Sequence, residues 1–105
     1  MRRHSRGRKI LVHAVYLLAV GEGDVRQRLK RIHRDLRSLD ERDLPLELYA
    51  ELRSILNEMT RFGPARDERD GEPYQSAIEH TMCRSRRSTA SKLAKRIYSL
   101  HSKLC

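Results

Sequence analysis

The chain has 105 residues, of which 35% are charged and 38% hydrophobic, with a formal net charge of +9. That length suits one domain, and apolar residues gathered in periodic runs exclude a disordered chain. Two cysteines, Cys83 and Cys105, are too few for a disulfide scaffold. With no Trp, one Phe and four Tyr, the core is built mainly from Leu, Ile, Val and Ala. So small a core is often completed by a second copy, so a homodimer is expected.

Residues 1–8 read as a basic flexible arm, and residues 9–105 as a single helical domain. Ile10 to Val20 is an apolar run broken only by His13 and Tyr16. As a helix it is apolar nearly all round, which places it centrally in a bundle or in an oligomer. It is too short to span a bilayer, which takes about 20 residues. A basic start, an apolar run and the small Ala19-Val20-Gly21 also make up the parts of a secretory signal. Cleavage around residues 1–21 is therefore held beside a reduced, cytoplasmic setting.

Gly21 and Gly23 end that run, and Asp24 stands where a helix N-cap belongs. From Val25 to Leu39, the residues Val25, Leu29, Ile32, Leu36 and Leu39 step by four and three into one stripe. Arg26, Lys30, Arg34 and Arg37 line the other side, with Arg28 and Arg31 nearby. Asp40 to Asp43 reads as a polar turn. Pro45 fits the first turn of a third helix, with Asp43 or Leu44 near its cap. Leu48, Leu52, Ile55, Met59 and Phe62 form its apolar stripe, and Glu47, Glu51 and Glu58 its flank. Gly63-Pro64 ends it, and residues 63–73 form a charged loop with some mobility.

From Tyr74 onward, Ile78, Met82, Thr89, Leu93, Ile97, Leu100 and Leu104 fall on one helical face. One long helix fits, except that Arg86 lies in the middle of the stripe. The helix breaks between Arg84 and Ser91, or projects from the bundle, or Arg86 meets a partner. Ser85 and Ser88 offer a break and a new N-cap. No segment alternates with a period of two. The expected fold is all-α, a small antiparallel bundle of three to four helices with a long basic C-terminal helix.

After Glu79 the chain has no acidic residue. Arg84, Arg86, Arg87, Lys92, Lys95, Arg96 and Lys103 therefore join Arg26, Lys30, Arg34 and Arg37 as candidate nucleic-acid contacts. Lys and Arg neutralise backbone phosphates and release their counterions, and this needs little reading of sequence. The alternative is a structural bundle or protein-interaction adaptor. There an acidic partner meets the charge, and Leu93, Ile97, Leu100 and Leu104 dock against other helices together with Ile10 to Val20.

No nucleophile–base pair, phosphate loop or strong metal motif supports catalysis, and no cofactor is implied. His80-x2-Cys83 and His101-x3-Cys105 offer a zinc donor set, but on one continuous helix they lie about 30 Å apart. They meet only if the segment folds back or two chains run antiparallel. His33-Arg34-Asp35 matches the start of a kinase catalytic loop by chance, since the loop's other parts are absent. Asp67, Glu68, Asp70 and Glu72 lack the order of an EF-hand.

Overall fold

Apolar residues at helical spacing set the architecture. In the computed structural model, which describes residues 4–104, the chain forms α1 (Ser5–Val20), α2 (Val25–Arg37) and α3 (Leu46–Met59). Then follow β1 (Ala65–Arg66), β2 (Pro73–Gln75), α4 (Ala77–Arg84) and α5 (Arg87–Leu104). The chain is mostly helical, as expected, but the described residues form five helices rather than three to four, and a small hairpin besides. α2 and α5 pack on each other, and each packs on both α1 and α3; α4 lies against α2 and α3. Among the described residues, no helix is long and apolar enough to cross a membrane.

α2 follows its sequence closely. The Asp24 carboxylate accepts the N–H groups of Arg26 at 2.9 Å and Gln27 at 3.4 Å, satisfying donors the helix cannot. Leu29, Ile32, Leu36 and Leu39 are buried.

α1 ends at Val20 with Gly21 as its C-cap, as expected, but differs from expectation in its start and in its burial. It begins at Ser5, so residues 5–8 of the expected arm are helical; residues 1–3 lie outside the described residues. Arg6 forms an ion pair with Asp43, and its guanidinium also donates to the Ser38 carbonyl. Gly7 lets the helix touch the turn that follows α2. A Cβ there would collide with the Asp43 carbonyl oxygen and stand 3.1 Å from Leu44 Cδ2. The apolar run is also not buried all round. Leu11 and Ala14 enter the core, while Val12, Tyr16 and Val20 remain 51%, 59% and 59% exposed.

α3 starts at Leu46 with Pro45 as its cap residue rather than inside its first turn. Leu52, Ile55 and Met59 are buried, but the helix ends before Phe62, which is 36% exposed. The guanidiniums of Arg61 and Arg84 lie over the Phe62 ring instead, 4.8 and 4.7 Å from its centroid.

The segment expected to be a loop contains the hairpin. β1 and β2 pair antiparallel with an irregular register, Ala65 opposite Gln75 and Arg66 opposite Pro73. Carboxylates of Asp67 and Asp70 accept the N–H groups of Arg69 (2.7 Å) and Glu72 (2.9 Å), and Gly71 takes φ 74°. These acids thus serve the turn.

The final segment is two helices. Ser85 ends α4 in extended conformation, its hydroxyl donating to the Thr81 carbonyl at 2.6 Å. The Arg86 carbonyl then receives the Ala90 N–H at 3.1 Å as α5 begins. Breaking the helix here turns Arg86 out of the apolar stripe and leaves it exposed. It also lets Ala90, Leu93, Ile97, Leu100 and Leu104 reach the core, with exposures of 0 to 8%. In the adaptor reading Leu93, Ile97, Leu100 and Leu104 dock against other helices; here they are buried in the chain's own core.

Candidate anion-binding groove

Lys30, Arg34 and Arg37 step by four and three along α2, so they share one side of it. That side forms one wall of a groove of about 510 Å³. Arg53, Leu56, Asn57 and Thr60 of α3 form the facing wall, and Ser76, Ala77 and Ile78 close it at the start of α4. Four cationic side chains meet there, and among the described residues no carboxylate lines the space. Ser76 caps α4 by accepting the Glu79 N–H at 3.3 Å. The first N–H groups of α4 add the positive end of its dipole to the same space.

His33 of α2, largely buried, also lines the groove. Desolvation, and then the nearby positive charge of Arg37, hold its imidazole below the ordinary value of 6.5. Its uncharged form is thereby favoured.

Lys30 also borders two further hollows toward the start of α2. One is shared with Gln27, Arg31, Ile78 and Glu79, and the other reaches Asp24, Arg26, Gln75, Met82 and Cys83. Glu79 and Asp24 reduce the positive charge there. Arg26 is committed within the fold, with Nη2 2.7 Å from the Asp24 carboxylate and Nη1 donating to the Ser85 carbonyl at 3.3 Å. The Arg26 hydrogen bond, helped by backbone N–H groups, holds the Asp24 carboxyl down at about 2.

The eleven cations singled out in the sequence thus separate. Lys30, Arg34 and Arg37 line the groove, whereas Arg26 is tied to Asp24. Arg84 stacks on Phe62, and Arg87 lies 3.9 Å from Asp24. Arg96 is paired with Glu51 and Ser54 of α3, each at 2.9 Å. Arg86, Lys92, Lys95 and Lys103 are exposed away from the groove lining. Arg53 is the groove residue that sequence reading missed. Its signal was the polar stripe Arg53, Asn57, Thr60, spaced by four and three on a helix otherwise flanked by glutamates.

Among the described residues, no three of His, Cys, Asp and Glu gather to hold a metal ion. His80 donates from Nδ1 to the Gly63 carbonyl at 2.9 Å, which fixes its ring. Cys83 is a free, exposed thiol, and Cys105 lies outside the described residues.

Comparison with known protein families, curated proteins and solved structures gave no match.

Proposed function

We propose that the chain is a non-enzymatic helical module that binds nucleic acid through backbone phosphates, with little reading of sequence. The observation that carries this is the groove itself: Lys30, Arg34, Arg37 and Arg53 converge with no carboxylate among its described lining. From Lys30 to Arg37 the wall runs about 10 Å at ~1.5 Å rise per residue. That is long enough to reach more than one phosphate of a backbone that places its charges ~3.4 Å apart per strand along the duplex axis. Among the described residues no Phe, Tyr or Trp lines the groove, and its one aromatic ring, the His33 imidazole, is largely buried; both favour phosphate contact over base stacking. A cytoplasmic setting belongs to the same proposal, supported by the free thiol of Cys83.

The test is fluorescence anisotropy against labelled duplex RNA, duplex DNA and single strands at two salt concentrations. The native chain is expected to bind with a steep salt slope and to prefer one duplex. The combined Lys30→Glu, Arg34→Glu, Arg37→Glu, Arg53→Glu variant is expected to lose binding while its circular dichroism is retained. Unchanged binding by that variant rejects the groove. Equal, weak binding of the native chain to every probe, vanishing near physiological salt, rejects nucleic acid as the ligand.

The adaptor reading keeps one of its two expected surfaces, the Ile10 to Val20 run. Leu93, Ile97, Leu100 and Leu104 are internal, but Val12, Tyr16 and Val20 leave an apolar side of α1 open to a protein partner.

A further inference from the structure

Val12, Tyr16 and Val20 follow one another at intervals of four, so they share the solvent side of α1. His13 and Ala19 are exposed beside them. The opposite side of the helix already supplies Leu11 and Ala14 to the core. α1 is therefore apolar on two sides, and only one of them is used within the chain.

We propose that the unused side binds a second copy of the chain, α1 against α1, antiparallel about a two-fold axis at Tyr16. The spacing is self-complementary. Val12 precedes Tyr16 by four residues and Val20 follows it by four, so a two-fold rotation sets Val12 against Val20 of the second copy and Tyr16 against Tyr16. An isologous contact requires this symmetry of a single patch. Charge selects the direction. Exposed Lys9 lies before the patch and exposed Glu22 after it. Antiparallel pairing brings Lys9 of each copy to Glu22 of the other, whereas parallel pairing stacks like on like. The two anion grooves stay apart, because α2, α3 and α4 line them and α1 does not.

One helix pair makes a small interface, at the low end of the range below about 1,200 Å² in total. The dimer is accordingly weak and reversible. Its salt dependence has a definite sign. Salt screens the two exposed Lys9–Glu22 pairs, each worth little, and also the repulsion between two chains of net charge +9, which is the larger effect, so the contact tightens as salt rises. Phosphate binding weakens over the same range, so the two activities separate in one titration.

Sedimentation equilibrium from roughly 10 to 500 µM spans the affinity expected of such an interface. The expected result is a monomer–dimer equilibrium that tightens with salt. Tyr16→Glu is expected to weaken it by about tenfold or more, with helicity unchanged because Tyr16 is exposed; Val12→Asp serves if Tyr16→Glu does not fold. Lys9→Glu weakens the dimer, and adding Glu22→Lys to it restores the affinity. A monomer throughout the range overturns the proposal. So does a dimer indifferent to Tyr16→Glu and Val12→Asp, or a Lys9→Glu defect that Glu22→Lys does not rescue. Co-flotation of a monomeric chain with phosphatidylglycerol vesicles, lost in Tyr16→Glu, would assign this side to lipid and likewise overturn it.

Discussion

Arg96 of α5 clasps Glu51 of α3, with both Nε and Nη2 lying 2.9 Å from one carboxylate oxygen. The pair joins the chain's last helix to its third across the core, and it removes Arg96 from the basic residues available to a ligand. Both side chains are about one-third exposed, at 34% and 39%, so solvent screens much of the attraction. Arg96→Ala is expected to cost at most about 1 kcal/mol in urea denaturation, with the salt slope of nucleic-acid binding unchanged. Arg53→Ala is expected to do the reverse, leaving stability nearly intact and lowering that slope by about 0.9 on duplex DNA.

His33 gives the groove a pH dependence whose sign follows from its burial. Its imidazole titrates below 6.5 in the folded chain, so the unfolded chain binds the proton more readily. The fold has its full stability above that value and loses some as pH falls below it. A phosphate in the groove opposes this by favouring the charged imidazole. Duplex affinity is therefore expected to rise as pH falls through the range, below the ordinary value, in which the imidazole takes up its proton. His33→Gln is expected to flatten that rise. Anisotropy titrations at several pH values and constant ionic strength read both outcomes.

Gly7→Ala tests the contact between α1 and the turn at Asp43. In an exposed helix interior this substitution stabilises by about 1 kcal/mol. Here the added methyl meets the Asp43 carbonyl oxygen, which is backbone and cannot swing aside. Overpacking of this kind costs roughly 1 to 3 kcal/mol. Net destabilisation is expected, read as a lower denaturation midpoint. A stabilised variant would show that the turn yields at little cost.

The elements with a strong local signal were legible in the sequence. Asp24 followed by apolar residues at four and three marks a cap and a helix, and α2 has both. The break at Ser85 was legible only as a conflict, since Arg86 cannot occupy an apolar stripe; its position depends on tertiary bonds such as Arg26 to Ser85. β1 and β2 were not legible, because two and three residues are too few to show alternation. Half of the groove was legible. Lys30, Arg34 and Arg37 lie in register on one helix, but Arg53 reaches them only through the packing of α3 beside α2. The α5 leucines posed the opposite problem. A periodic apolar stripe shows that a face will be covered, and does not say whether the cover comes from the same chain.

The hairpin has one consequence for the chain's continuity. Residues 66–74 are all exposed, and they include Arg66 and Arg69, at which trypsin cleaves. The polypeptide before that point carries α1, α2 and α3; the remainder carries α4 and α5, and α5 packs on all three of the earlier helices. A nick at the tip severs one peptide bond and none of that packing. The two fragments are thus expected to stay associated after cleavage and to separate in denaturant, which size-exclusion chromatography before and after urea would read.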